Sequence, residues 1–436
     1  MHATKAFATL LVAAGLTGCA NLLEQTAPSR VLEETLLVPA NSKLLVDGAR
    51  AAFGCAYQAY VTASGLVSDE MEDTQLGAAG WDYDRRSIVT IGIYAESTCE
   101  TSQLFGIYRP MQTARFQADF ATQTITAFPD AEVQDKGTLL ATAALFAGYS
   151  YLLLGEGFCS MAVSAPEEIL NDQGGAELTS VDMFEVAEAR FTQAIDLGTT
   201  AGVTDIVNAA RVGRARARLN LAKFPGQPVD NAKLVEARAD AAAVPGAFEY
   251  NLPYQTAGSP AYAQNLLYRR QRDFFQYGIA PTFRDLTFGG VPDPRTAVTN
   301  TGVIGADGVS IVWAADKYPA QNSPIRLASW EEAQLIIAEI DGGQAAVDII
   351  NTLHDAVGLP DFNSADPVAI FNQVIQERDR ELFLEGHRMW TIRRLDLPFN
   401  PPVGTVYPIK GGTYGDTRCF PLPDIERNNN PGLGGN

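Results

Sequence analysis

Apolar side chains recur at three- and four-residue spacing in nine segments of this chain, the pattern of helices with one buried face. In the first segment, Phe53, Tyr57 and Tyr60 follow one another at intervals of four and three residues. The nine helices are predicted at residues 47–63, 102–127, 135–154, 180–197, 204–224, 231–243, 329–339, 343–356 and 366–385. Strand patterns are few and short, at residues 87–93 and 309–313. The sequence therefore predicts an all-α fold with few short strands.

Two pairs of these helices resemble tetratricopeptide units. Gly148 and Tyr151 stand where the first helix of that repeat carries a glycine and an aromatic residue, and Phe191 matches its second helix. A second pair covers residues 204–224 and 231–243. Small residues let two helices approach closely, and the aromatic side chain fills the groove between them. We expect degenerate helix pairs of this type; chance similarity among Ala-rich helices is the alternative.

The first eighteen residues have the pattern of a bacterial export signal. Lys5 precedes an apolar stretch at residues 6–16, which is too short to span a membrane, and Leu-Thr-Gly then leads to Cys19. This ending resembles a lipobox, which predicts removal of residues 1–18, acylation of Cys19 (diacylglycerol and an N-acyl chain such as palmitate) and a tether at 19–45. By resemblance to lipoprotein sorting, Ala20 favours the outer membrane. An ordinary signal peptide with a chance cysteine is the alternative.

Besides Cys19, the chain contains Cys55, Cys99, Cys159 and Cys419. An even number of cysteines in an exported protein favours two disulfides. Three pairings are possible, and we favour Cys55–Cys99 with Cys159–Cys419, which ties the C-terminal segment to the middle of the chain. Buried free thiols are the alternative. No metal site or cofactor is predicted, because CxxC spacing is absent and only two of the three histidines remain after removal of the leader.

Composition limits the partners of the protein. The formal net charge of −19 argues against nucleic acid and against anionic membrane surfaces, which would repel the chain. With 46% hydrophobic and 19% charged residues, the chain is expected to be globular. Its length of 436 residues allows two or three domains. Contact with a membrane is therefore predicted only through the N-terminal lipid.

Charged and apolar residues alternate closely near the C-terminal end of the last predicted helix. A charge on a buried face must be paired, because burial of an isolated charge is too costly. Pairing of arginine with glutamate is therefore predicted, and it involves the following residues: Glu377, Arg378, Glu381, Glu385 and Arg388. We expect Gly386 to end the helix. A solvated charged face is the alternative.

This stretch resembles the C-terminal signature of the SusD/RagB family of nutrient-binding outer-membrane lipoproteins. The family pattern Glu-Arg-x-Arg-Glu-Leu-x-x-Glu-Gly-x-Arg matches residues 377–388, and Trp390 follows, whereas Thr391 replaces a frequent aspartate. A second family element, the Pro-x-Pro and Asn-Pro ending, matches residues 420–431. The resemblance implies four tetratricopeptide-type helix pairs supporting a loop-rich region. It also implies capture of oligosaccharides or peptides at the cell surface for a SusC-like TonB-dependent transporter, and a structural role for the Glu-Arg signature.

Aromatic, proline and glycine residues replace the helical pattern between residues 249 and 324. Long loops on a rigid frame commonly carry binding sites. We therefore divide the mature chain into a helical N-terminal part at 46–248 and a C-terminal part at 249–436, in which 249–324 is loop-rich. Sugar rings stack on indole and phenol faces while charged groups bind their hydroxyls. The candidate ligand-binding residues are Trp81, Asp82, Tyr83, Arg85, Trp313 and Tyr318. For each aromatic residue, a place in the core or a loop anchor is the alternative.

Three classes of function are open to such a chain. The first is a lipid-anchored, surface-exposed outer-membrane protein that binds a glycan or other nutrient oligomer and performs no catalysis. The second is a glycoside-acting enzyme with two carboxylates, which the many acidic residues permit but do not specify. The sequence contains no GxSxG, phosphate-binding glycine loop or zinc-type histidine spacing, so we predict that the protein is not an enzyme. The third is a helical-repeat scaffold that binds proteins or peptides.

Overall fold

The computed structural model describes residues 36–75, 77, 79–99, 106–164, 174–256, 263–408 and 411–434. The predicted leader, Cys19 and most of the predicted tether lie outside these residues and remain predictions. Helices dominate the described part, so the all-α prediction is confirmed. They are α1 Ser42–Val67, α2 Gly80–Asp84, α3 Ile93–Glu96, α4 Tyr108–Ala127, α5 Lys136–Gly157, α6 Ser180–Ala201, α7 Thr204–Ala222, α8 Asn231–Ala242, α9 Leu266–Tyr268, α10 Trp330–Asp341, α11 Gly343–Val357, α12 Pro367–Glu381, α13 Arg388–Leu395 and α14 Asp424–Asn429.

The described strands are short and pair two by two in antiparallel ribbons: β1–β5, β2–β3, β4–β10, β6–β7 and β8–β9. Their bounds are β1 Met71–Asp73, β2 Ser160–Val163, β3 Ala176–Thr179, β4 Glu249–Leu252, β5 Tyr277–Ile279, β6 Thr287–Phe288, β7 Val291–Pro292, β8 Val298–Ile304, β9 Ile311–Ala315 and β10 Ile325–Ser329. Seven of the ten lie in or next to the region that was predicted to be rich in loops.

One predicted strand is correct in place and one is wrong. The strand expected at 309–313 is β9, shifted by two residues. The strand expected at 87–93 is irregular up to residue 92, and the helix α3 begins at Ile93. The segment packs Ile88 on the core and leaves Val89 and Ile91 exposed, but its backbone pairs only once with the C-terminal segment, where Asp424 N donates to Thr90 O at 3.2 Å. The side chains of this segment alternate in exposure, but none of the described strands pairs with it.

The long helices can be grouped into four pairs of consecutive, contacting helices, namely α1 with α4, α5 with α6, α7 with α8 and α10 with α11. The close approach predicted for the tetratricopeptide-like helices is confirmed at Phe191 of α6. A Cβ built on Gly148 of α5 would lie 2.7 Å from that ring, and one built on Gly213 of α7 would lie 2.3 Å from it. Glycine at both positions therefore allows one aromatic ring to pack between three helices.

The helix α5 has the length and hydropathy of a membrane-spanning segment, although the sequence predicted membrane contact only through the N-terminal lipid. In the structure, however, 78% of its apolar window is buried inside the protein. Its side chains, among them Phe146 and Leu153, are part of the main hydrophobic core. The chain uses this helix as the centre of the helical bundle.

Both disulfides have the favoured pairing. Cys55 of α1 is bonded to Cys99, with Cα atoms 6.1 Å apart, and Cys159 is bonded to Cys419, with Cα atoms 5.1 Å apart. Next to the second disulfide, Cys159 N donates to Phe420 O at 3.0 Å. The C-terminal segment is thus fixed to the end of α5 by covalent and hydrogen bonds.

The signature residues are buried or half-buried, and their charges are paired mainly with residues of other elements. Glu377 accepts hydrogen bonds from Arg295 at 2.7 Å and is 2.8 Å from Nε2 of His354. Arg378 lies 2.7 Å from a carboxylate oxygen of Glu339. All these partners come from outside the signature. The helix α12 thus presents these charges to neighbouring elements.

The rest of the signature also pairs with other elements, and Arg388 in addition pairs with Asp379 inside the signature. Arg326 of β10 binds Glu381 at 3.1 Å and Glu385 at 3.0 Å, and Arg388 binds Asp69 of the segment after α1 at 2.5 Å. The helix α12 ends at Glu381, four residues before the predicted end. A turn that closes at Gly386, with φ of 81°, then leads into α13. The turn is possible because the Glu385 carboxylate is held by Arg326 and is not exposed on a helix.

Candidate functional site

The antiparallel ribbon of β1 and β5 connects the two segments that carry the candidate tryptophans. A Cβ built on Gly80 would lie 2.4 Å from the hydroxyl of Tyr277 in β5, so the start of α2 rests directly on that ring. A Cβ built on Gly278, the next residue of β5, would lie 3.4 Å from the backbone nitrogen of Trp313. The Trp81 and Trp313 segments are thus anchored to consecutive residues of one strand.

Trp81 belongs to α2 and is half-buried. The guanidinium carbon of Arg85 lies over its ring, 4.3 Å from the centroid, a cation–π contact. Arg85 also reaches Asp82, with Nη2 3.3 Å from Oδ1. Partial burial raises the pKa of the Asp82 carboxyl, while the charge of Arg85 opposes this shift. The structure therefore brings three of the predicted site residues together in one partly exposed cluster.

Trp313 belongs to β9 and is also half-buried. The guanidinium carbon of Arg284 lies 5.2 Å from its ring centroid. Arg284 forms an ion pair with Glu72 of β1, and its Nε donates to Ile279 O at 2.8 Å. Burial raises the pKa of the Glu72 carboxyl, and the charge of Arg284 opposes this shift. Each tryptophan thus has an arginine over its ring and a carboxylate beside that arginine.

Tyr83 and Tyr318 do not share this exposure. The Tyr83 side chain is 1% exposed and packs against Tyr94 and Phe420, with ring centroids 6.3 and 5.7 Å away. Tyr318 is 2% exposed and its hydroxyl donates to Leu384 O at 3.0 Å. A ring without an exposed face cannot stack on a solute, so both residues match the core alternative and are removed from the candidate site.

Sequence reasoning missed Glu72 and Arg284. They lie 212 positions apart in the chain, and no local pattern marks either of them. The resulting arrangement offers two aromatic surfaces, two guanidinium groups and two carboxylates, which suit a ligand with apolar faces and hydroxyl edges. In the described part of the chain, no group of three His, Cys, Asp or Glu residues could hold a metal ion.

The described chain folds as a bundle of paired helices, and solved structures of other proteins share this architecture. Residues 332–436 match the model of the SusD family. A SusD superfamily protein from Parabacteroides distasonis has a TM-score of 0.66 at 13% identity, covering 92% of this chain and 98% of that one. A SusD-like carbohydrate binding protein from Bacteroides vulgatus has a TM-score of 0.66 at 15% identity, covering 91% and 97%. No curated protein is significantly similar.

A further solved structure, of a protein with a xylogluco-oligosaccharide, has a TM-score of 0.63 at 13% identity and covers 89% of this chain and 97% of that one. At such identities the likeness concerns the fold. The C-terminal part of the chain thus matches the SusD family model, and the described chain shares the fold of SusD-like proteins.

Proposed function

We propose that this protein binds an oligosaccharide at the surface formed by Trp81 and Trp313. The observation that carries the proposal is that both tryptophan side chains are partly exposed and that their chain segments contact neighbouring residues of β5. Sugar rings present an apolar C–H face to an indole. Beside the rings, Arg85 with Asp82 and Arg284 with Glu72 offer donors and acceptors to hydroxyl groups. The two tryptophans would each contact a different ring of one chain.

The wider role follows from the family. Relatives with this fold include a carbohydrate binding protein and a protein with a xylogluco-oligosaccharide. We propose that the chain is anchored by acyl groups on Cys19 at the outer face of the outer membrane and delivers its ligand to a SusC-like TonB-dependent transporter. In this role it binds and releases the glycan unchanged. The proposed domain division, with a helical frame at 46–248 and a C-terminal part at 249–436, assigns one tryptophan to each part.

Calorimetric titration of the mature protein with a panel of linear and branched neutral oligosaccharides tests the binding proposal, and the double variant Trp81→Ala/Trp313→Ala is titrated in parallel. We expect the wild type to bind at least one member of the panel and the double variant to lose at least about tenfold in affinity, or about 1.4 kcal/mol. Preference for a peptide panel would favour the scaffold alternative. Cleavage of a panel member, followed by chromatography, would favour the enzyme alternative.

The anchor is tested separately. Cells that express the wild type or Cys19→Ala are labelled with radioactive palmitate, and intact cells are then treated with an external protease. We expect label only in the wild type, together with loss of that protein on treatment of whole cells. An unlabelled wild type would contradict acylation, and full protection from the protease would place the protein on the periplasmic side.

A further inference from the structure

A cleft of about 340 Å³ opens beside the two tryptophan segments. One wall is formed by β1 and by residues 280–282, and the opposite wall is a hairpin of the C-terminal segment, described at residues 404–408 and 411–415. This part of the chain is rich in proline and glycine. Three ladder-like backbone hydrogen bonds hold the hairpin together: Gly404 N to Tyr414 O at 2.8 Å, Tyr414 N to Thr405 O at 2.9 Å and Tyr407 N to Gly412 O at 3.0 Å.

Arg86 fixes this hairpin to the core. Its guanidinium lies between two rings, 4.3 Å from the centroid of Phe399 and 4.7 Å from that of Tyr414. Nε donates to Gly415 O at 3.0 Å, and Nη2 donates to Pro401 O at 2.7 Å. The arginine is 2% exposed, so these contacts are shielded from water. The cleft therefore has a preformed wall, and binding there would not require the hairpin to become ordered.

The groups that line the cleft suit an uncharged ligand with hydroxyl groups. The Glu72 and Asp69 carboxylates are already paired with Arg284 and Arg388. Asp84 accepts from Asp73 N at 2.8 Å and from the Tyr407 hydroxyl at 2.6 Å, both at Oδ2, and among the described residues Oδ1 accepts no hydrogen bond. Burial raises the pKa of Asp84 to about 7, so this carboxyl can donate as well as accept near neutral pH.

Other lining groups complete the same picture. Asn400 donates through Nδ2 to Thr282 Oγ1 at 2.9 Å, which leaves its carbonyl oxygen as an acceptor. Met71, Pro281 and Tyr414 supply apolar surface. A volume of 340 Å³ stands at the lower end of the range for ligand sites, about 300–1,000 Å³, and suits a single small ring and not a chain.

The cleft adjoins both tryptophan clusters. Glu72 lines it and binds the arginine that covers Trp313. On the other side, a Cβ built on Gly412 of the hairpin would lie 3.3 Å from Nη1 of Arg85, which covers Trp81. We infer that this cleft is a subsite for one neutral sugar residue that forms a side branch of a glycan whose main chain lies on the two indoles. The inference rests on the proposed glycan-binding function.

Filling the cleft tests the subsite. Thr405 lines the cleft and is exposed, and its hydrogen bonds within the hairpin use backbone atoms alone, so Thr405→Trp can occupy the space without breaking the ladder. Val403 in the same loop is 55% exposed and does not line the cleft, so Val403→Trp is the matched control. The probes are linear glucan, mannan and xylan oligosaccharides and their singly branched counterparts, titrated by calorimetry.

We expect the wild type and Val403→Trp to bind a branched probe at least about tenfold more tightly than its linear counterpart. Thr405→Trp should lose this preference and bind the linear probe as the wild type does. Val406→Trp, at a lining position that is 72% exposed, is an independent filling variant and replaces Thr405→Trp if the latter fails to fold.

Three results would overturn the subsite. If the wild type binds glycans without preferring branched probes, or if both filling variants keep the preference, the cleft is not a subsite although the glycan-binding function stands. If the wild type binds no oligosaccharide at all, the proposed function fails and the subsite fails with it.

Discussion

Glu339 of α10 and Arg394 of α13 form a bidentate ion pair, with oxygen–nitrogen distances of 2.7 and 2.8 Å, in which both side chains are completely buried. Arg378 of α12 reaches the same carboxylate at 2.7 Å, and Lys223 after α7 reaches it at 3.3 Å. One carboxylate thus joins four segments. Burial alone would raise the pKa of Glu339, but Arg394 and Arg378 hold it well below its usual range.

We therefore expect Glu339→Ala to lower the free energy of unfolding by about 3–5 kcal/mol, because the buried arginines would lose their counter-charge. Urea unfolding followed by tryptophan fluorescence measures the change. The control is Asp341→Ala in the same helix, whose ion pair with Arg238 is partly exposed and should cost less than about 1 kcal/mol.

The lowered pKa also gives a pH dependence. Because Glu339 is more acidic in the folded state, its contribution is present above its unfolded pKa of about 4.3 and is lost as the pH falls below it. If Glu339→Ala and Asp341→Ala lower the free energy of unfolding equally, the buried ion pair contributes no more to stability than the partly exposed one.

Gly213 of α7 is expected to be indispensable for the packing of three helices. The built Cβ lies 2.3 Å from the Phe191 ring, which Gly148 confines from α5, so the ring has no free space into which it can move. Gly213→Ala should destabilise the protein by about 1–3 kcal/mol. Gly54→Ala in α1, where a Cβ meets nothing within 4 Å, should instead stabilise it by about 0.5–1 kcal/mol. Thermal unfolding of the two variants measures this contrast, and a neutral Gly213→Ala would contradict it.

Glu70 is 1% exposed, and its Oε1 accepts a hydrogen bond from Leu384 N at 2.9 Å. Burial raises its pKa to about 8, with the Leu384 hydrogen bond and Arg388 opposing the shift. Between its unfolded pKa of about 4.3 and the folded value, the folded state binds more protons, so this group lowers stability as the pH rises. Glu70→Gln remains neutral at every pH.

The stability of Glu70→Gln relative to the wild type should therefore increase by at least about 1 kcal/mol from pH 5 to pH 8, since one pKa unit corresponds to 1.36 kcal/mol. Urea midpoints at both pH values measure the difference. The exposed residue Glu96 provides the control variant Glu96→Gln, which should not change with pH in this way. A stability difference between Glu70→Gln and the wild type that does not change with pH would show that Glu70 is not the group that binds the proton.

Trp81 is half-buried in a five-residue helix, and α2 keeps its contacts with the core through Tyr83. Trp81→Ala should weaken binding of the best oligosaccharide of the panel at least about tenfold, because the stacking surface is lost. The melting temperature should change by less than about 3 °C. Trp81→Phe retains an aromatic face and should recover part of the affinity. Unchanged affinity, or a collapse of the fold, would make Trp81 a structural residue.

Local sequence pattern gave the helices with good accuracy because each helix carries its own signals. Ser329 and Asp366 accept hydrogen bonds from the first turns of α10 and α12 as N-caps, as their positions indicated. The α12 terminus was misplaced because the residues after Glu381 have helical propensity, while Arg326 draws Glu385 into the core. Tyr83 and Tyr318 were misassigned for a similar reason, since an aromatic residue has the same sequence signature on a surface and in a core.

The sequence by itself determined the helical architecture and the C-terminal signature, because periodicity, caps and motif spacing are properties of short segments. The tertiary structure alone decided which charges pair, which aromatic residues remain exposed, and that β5 brings the Trp81 and Trp313 segments together. Those features join residues up to several hundred positions apart, such as Tyr57 and Glu385, whose hydroxyl and backbone carbonyl meet at 2.9 Å. The energies of these contacts depend on the exclusion of water when distant segments pack together, and no single segment encodes that packing.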